Sequence, residues 1–191
     1  MSAVRPPYWD VAVGAHVQSL GLGEWLVCTR QDLVFTTTLG SCVAACVFDP
    51  IAGVGGINHF LLPEAVGSDK LSASARYGAA AMETLINAVL KVTKRRDRLR
   101  SKVFGGASLG VGGEGIGLRN VEFAMGYLAE EGIPTMIWDV GGDQARAVRF
   151  WPATGRSQRR LIGMTDGLRR IEAKFLDSLR HQPVEGDVEL F

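Results

Sequence analysis

Apolar and polar positions along this chain follow two periods. The runs at 25–29 (WLVCT) and 33–38 (LVFTTT) are short, rich in β-branched residues and separated by a polar turn at 30–32, as strands are. The run at 43–48 is apolar throughout and is stopped by Asp49-Pro50, which predicts a buried strand and not a helix. Residues 57–62 predict the next strand, ending at Pro63. Helical spacing takes over at 73–94, where Met82, Leu85, Ile86, Val89 and Leu90 form a stripe behind a Ser72 cap. A strand at 102–104 leads into the glycine-rich stretch GGASLGVGGEGIG at 105–117. A second helix at 118–131 carries Val121, Ala124 and Leu128 on one face and stops at Gly132. Strands follow at 135–140, 145–151 and 158–162, then a shorter amphipathic helix at 168–179 with Leu168, Ile171, Phe175 and Leu179 on one side. The tail HQPVEGDVELF reads as frayed.

Strands come in groups with helices between them and not in strict βαβ alternation. That predicts an α/β (α+β) fold, a single layered domain with a mixed β-sheet and flanking helices. The 191 residues suit one domain with a substantial core. The domain is expected over 25–162, after an N-terminal segment at 1–24 and before a C-terminal extension at 163–191 that carries the last helix. A net charge of +1 directs the chain to neither nucleic acid nor membrane, and no run is long and apolar enough to span a bilayer. The start, MSAVRPPYWDVAVG, lacks the basic-then-apolar pattern of a secretory signal. Three irregularly spaced cysteines make no disulfide framework, so a reducing cytoplasm is the expected compartment.

Candidate chemistry centres on LGSCVAACVFDP, at 39–50. A cysteine attacks as thiolate and needs a base beside it. Gly40 lets the chain turn, Ser41 is small, and the backbone N–H groups of Ser41 and Cys42 are candidate oxyanion donors. His59, in GINHFLLP, follows at a distance that allows one strand, a turn and a return strand, which would set Cys42 and His59 side by side. A third group should orient the imidazole. Strand alternation puts Thr36 and Thr38 on one face and Thr37 on the other, and spacing alone does not choose among them. The competing reading of Cys42 as a small buried hydrophobe is the stronger one for Cys28 and Cys46.

Other patterns carry less. Cys28, Cys42, Cys46 and His59 lack the paired spacing of a zinc site, so no metal is expected. Gly110, Gly112 and Gly115 satisfy G-x-G-x-x-G, but the preceding strand ends too early for a dinucleotide turn, and a loop beside a cleft fits better. The basic run KVTKRRDRLRSK lies at a helix C-terminus, where solvated cations complement the dipole.

With these residues laid out, the chain resembles the chemoreceptor glutamine deamidase family, CheD. The resemblance spans about 25–161 and is carried by TTTLGSCVAACVFDP, GGINHFLLP, ARYGAAAMETLINAVLK, KVFGGAS, IGLRNVEFAMGYLAEEGIP and DVGGDQARAVRFWPATG. It implies that Cys42 is the nucleophile, His59 the base, and Thr36, six positions before the cysteine, the third catalytic residue. It implies a fold similar to the catalytic domain of cytotoxic necrotising factor toxins. The implied reaction converts receptor glutamine side chains to glutamate through a cysteine thioester, with no cofactor. The implied partners are methyl-accepting chemoreceptors and, in some members, a CheC-type phosphatase. The rival from another class is a docking module that binds these partners without catalysis.

Overall fold

The computed structural model describes residues 5–62, 68–108, 115–163 and 166–181. Pro63, Gly110 and Gly112 with the rest of 109–114, and the tail beyond His181 lie outside the described residues. In chain order the elements are β1 (Tyr8–Asp10), β2 (Ala15–Ser19), β3 (Trp25–Cys28), β4 (Leu33–Leu39), β5 (Val43–Asp49), β6 (Val54–Asn58), α1 (Ser68–Thr93), β7 (Arg100–Gly105), α2 (Ile116–Glu130), β8 (Thr135–Val140), β9 (Ala145–Phe150), β10 (Ser157–Ile162) and α3 (Asp166–His181).

The α+β class holds, with the strands divided between two mixed sheets. One has the order β1-β2-β4-β9-β10 and the other β3-β6-β5-β7-β8. The first is antiparallel except for β2 beside β4, and the second except for β7 beside β8. The division occurs at the Gly40-Ser41-Cys42 step, where the chain leaves β4 in one sheet and enters β5 in the other.

β5 shows why its sequence reads as unbroken hydrophobe. Every one of its residues is buried, because both of its faces are covered. Ala44, Cys46 and Phe48 point into a core between the sheets, together with Phe35, Leu39, Ile57, Phe104, Val148 and Phe150. Val43, Ala45 and Val47 point the other way, onto Met82, Leu85 and Val89 of α1 and Ala124 and Leu128 of α2. Burying each of the larger of these side chains stabilises the fold by roughly 1.5–3 kcal/mol. The molecule is therefore layered as sheet, sheet, helices.

Three differences from expectation have local causes. β1 and β2 precede residue 25 and belong to the first sheet, β2 pairing in parallel with β4. β6 begins at Val54, because Gly55 and Gly56 run as strand: a Cβ on Gly55 would lie 2.4 Å from the Pro152 carbonyl oxygen. α1 begins at Ser68, so Ser72 lies inside the helix and is not its cap. Among the described residues no helix is long and apolar enough to cross a membrane.

Candidate active site

The crossover between the sheets is clamped at the end of β7. Gly106 N–H donates to the Cys42 carbonyl oxygen and Ala107 N–H to that of Gly40, both at 2.8 Å. Gly105 must be glycine here, since its φ is +114° and a Cβ would lie 2.2 Å from the Cys42 carbonyl oxygen. Arg146 of β9, nearly fully buried, braces the same corner by donating to the Gly105 carbonyl at 3.0 Å and pairing with Asp139 at 3.3 Å. On the other side Asn120 of α2, fully buried, accepts from Leu62 N–H at 2.8 Å and donates to the Ser41 carbonyl at 3.0 Å. That bond fixes the plane of the Ser41–Cys42 peptide and so the direction of the Cys42 N–H.

His59 follows directly on β6. Its N–H donates to Glu24 at 3.0 Å and its carbonyl accepts from Gly23 at 2.7 Å. Val43 and Phe60 exchange bonds beside it at 2.9 Å. This backbone frame brings Nε2 of His59 to 2.8 Å from Sγ of Cys42. The structure thus sets the two residues side by side.

The group behind the ring is Thr37, and this corrects the expectation for Thr36. Oγ1 of Thr37 lies 2.9 Å from Nδ1 of His59. Thr36 points to the opposite face of β4, where its hydroxyl donates to the Val148 carbonyl at 3.1 Å. The cause is the two-residue period of the strand: β4 exposes Thr36 and Thr38 on one face and turns Thr37 toward the imidazole. The Thr37 hydroxyl also fixes the tautomer. Its single proton goes to the Leu20 carbonyl at 2.9 Å, so its oxygen accepts from Nδ1–H and the Nε2 lone pair faces the thiol.

Burial sets the resting charge. It pulls the His59 imidazole down to about 4, against a smaller opposing pull from the Leu20 carbonyl. Burial likewise pushes the Cys42 thiol well above its ordinary value, and the neighbouring Glu172 carboxylate pushes it further. The pair rests as neutral thiol and neutral imidazole. Such a pair can pass a proton from sulfur to nitrogen as the sulfur attacks a carbonyl carbon.

The candidate oxyanion donors face one carboxylate, each bonding a different oxygen of it, with a difference from expectation. Cys42 contributes its N–H, while Ser41 contributes its hydroxyl. Both address Glu172 of α3, the hydroxyl at 2.7 Å and the N–H at 3.4 Å. The residues missed by sequence reasoning are therefore Asn120 and Glu172, whereas Thr37 is one of the three threonines among which spacing does not choose. Glu172 carried a signal, a carboxylate four residues after Leu168 within an otherwise apolar stripe. A cavity of about 330 Å³ opens beside the sulfur, lined by Thr36, Thr37, Thr38, His59, Ile171 and Glu172 among others.

The four residues weighed as a zinc site do not converge. Cys28 sits on β3 opposite Gly55, and Cys46 on β5 opposite Ile57, where burial pushes its thiol up. Among the described residues no cluster of three His, Cys, Asp or Glu side chains is arranged to hold a metal ion.

Comparison with known proteins bears on this site. A family model described as CheD chemotactic sensory transduction matches residues 61–160. A protein of Caulobacter vibrioides named "Probable chemoreceptor glutamine deamidase CheD" is 44% identical over 183 residues, 94% of this chain and 94% of its own. Proteins of the same name from Agrobacterium fabrum and Hahella chejuensis are 43% and 41% identical, covering 88% and 96% of this chain and 93% and 89% of theirs. A match over 94% of the chain leaves only its extremities outside, so it contains the strands around Cys42 and His59. Among solved structures, Neisseria meningitidis protein NMB0706, family-model DUF152, aligns with a TM-score of 0.44 at 11% identity, over 69% of this chain and 64% of that one, too loosely to support an argument.

Proposed function

Because the chain belongs to the CheD family, we propose that it is a protein-glutamine deamidase of methyl-accepting chemoreceptors, with Cys42 as nucleophile, His59 as base and Thr37 as the residue that orients the imidazole. The observation that carries this reading is the line of contacts from Sγ of Cys42 to Nε2 of His59, and from Nδ1 to the Thr37 hydroxyl.

The target carboxamide enters with its oxygen at the Cys42 N–H and the Ser41 hydroxyl. Sulfur attacks the amide carbon as its proton passes to Nε2, giving a tetrahedral oxyanion and an imidazolium held by Thr37. The C–N bond breaks, the imidazolium gives its proton to the departing nitrogen, and ammonia leaves a γ-glutamyl thioester. Water, deprotonated by Nε2, attacks the thioester, and the S–C bond breaks to give glutamate and the thiol. Every proton moves between groups on this chain, the substrate and water. The resting pair being neutral, the donors to the oxyanion must offset the charge separation of the first step. The reaction suits a reducing cytoplasm, where the thiol stays free.

The test is mass spectrometry of a receptor cytoplasmic fragment incubated with the wild type and with Cys42→Ala. Glutamine-to-glutamate conversion by the wild type alone is expected. Binding of the fragment by both proteins without conversion by either would replace this reading with the docking module.

A further inference from the structure

α3 has the apolar stripe of a helix that packs on the body of a protein. Phe175 lies against Gly23 and Tyr77, with ring centroids of Phe175 and Tyr77 6.5 Å apart, and Leu176 enters the core between the sheets. Leu168 packs beside Ala107 and Ala145. The most deeply buried of its described residues is nevertheless Glu172, at 1% exposure. A carboxylate in such a place is costly without partners. The partners it has are the Ser41 hydroxyl and the Cys42 N–H, the two donors to which the mechanism assigns the oxyanion.

Two facts give this arrangement a meaning. A glutamate side chain on those donors is the side chain that deamidation of glutamine produces. Moreover, Cys42 is 0% exposed and its N–H is taken by Glu172, so a side chain of another protein reaches the same donors only when the Glu172 carboxylate has left them. We propose that α3 is a built-in product mimic, lying in the seat of the substrate helix with Glu172 where the target side chain belongs. The surface under α3 then describes its proper occupant: an amphipathic helix bearing glutamine, with apolar side chains four residues before it and three and four residues after it, at the places of Leu168, Phe175 and Leu176. α3 and the substrate helix exclude one another, so the chain restrains itself until a better-fitting helix arrives. Glu172 also raises the thiol, which keeps the nucleophile protonated while the seat is filled. The inference rests on the deamidase reading above.

Glu172→Gln in the full chain tests it, because it turns the mimic into a substrate. Cys42 Sγ would bond to Cδ of the new amide, ammonia would leave with a proton from His59, and water would cleave the thioester to restore glutamate. Expected is conversion at position 172 that is first order, independent of protein concentration and abolished when Cys42→Ala is added. Glu172→Ala is expected to speed conversion of a receptor fragment by about tenfold, the size of a lost charge-assisted bond. It should also speed alkylation of Cys42 by iodoacetamide at least as much, read by peptide mass mapping, which needs no turnover. If the wild type converts the fragment while position 172 stays an amide, and Glu172→Ala reacts and turns over at the wild-type rate, α3 is ordinary packing and the inference is overturned. If no version converts the fragment or itself, the deamidase reading has failed and the inference falls with it.

Discussion

Thr37→Val separates the two threonines that a sequence pattern cannot. Valine keeps the shape of threonine and removes its hydroxyl, so Nδ1–H of His59 would face a methyl group in place of an oxygen at 2.9 Å. The imidazole is buried, at 5% exposure. A buried donor left unsatisfied costs about 1–3 kcal/mol. The same loss frees the ring to take the other tautomer, with Nε2 protonated and useless as a base. Carried into the barrier, that cost lowers kcat roughly 10- to 100-fold. KM for the receptor fragment should stay within about threefold, since Thr37 acts through His59 and not on the substrate. Thr36→Val removes only a half-buried bond to the Val148 carbonyl, worth about 1 kcal/mol of stability, and should leave kcat within about threefold. Thr37→Ser restores the hydroxyl and should recover most of the rate. The assay is initial-rate release of ammonia from a receptor fragment, with urea midpoints measured in parallel to set aside unfolding. A Thr36→Val enzyme slower than Thr37→Val, or a Thr37→Val enzyme at full rate, would refute the assignment.

Two further outcomes follow from the same geometry. The imidazole of His59 sits near 4 in the fold against about 6.5 when unfolded, so between those values the unfolded chain binds the extra proton. Stability therefore falls as pH drops from about 6.5 toward 4, by on the order of 3 kcal/mol from this group, and denaturant melts of wild type against His59→Asn should show the difference in that window. Asn120→Ala orphans the Leu62 N–H and releases the Ser41 carbonyl, so it should cost about 2–4 kcal/mol in a urea melt and lower kcat at temperatures where the variant is still folded.

The juxtaposition of Cys42 and His59 was legible because it follows from short-range rules: a glycine turn into a buried strand, then a turn and a return strand. The unbroken apolar run at 43–48 likewise announced a strand covered on both faces. β1 and β2 were not legible. One has three residues, and the other, AHVQS, owes its place to a parallel partner distant in sequence. β6 was read as starting late because Gly55 and Gly56 look like turn residues, although here they admit the Pro152 backbone. The alternation of β4 separates Thr37 from Thr36 and Thr38, but which face meets the imidazole depends on how β4 lies against a different sheet. Glu172 was not legible, because its partners are more than a hundred residues away.

The parts of the site come from different layers, and this governs how it responds to change. Thr37 belongs to one sheet, His59 follows a strand of the other, and Cys42 lies on the step between them. The 2.9 Å between Thr37 and His59 is therefore also a measure of how the two sheets are spaced. That spacing is held by the shared core, in which Phe35, Leu39 and Phe150 of one sheet meet Phe48, Ile57 and Phe104 of the other. Close-packed interiors transmit even small changes of volume. A displacement of a few tenths of an ångström between the sheets alters the Thr37–His59 contact directly, while the Val43–Phe60 bonds keep Cys42 beside His59, and the same displacement between α1 and its sheet leaves both contacts unchanged. The core between the sheets is thus part of the catalytic apparatus in a sense that the core beneath the helices is not.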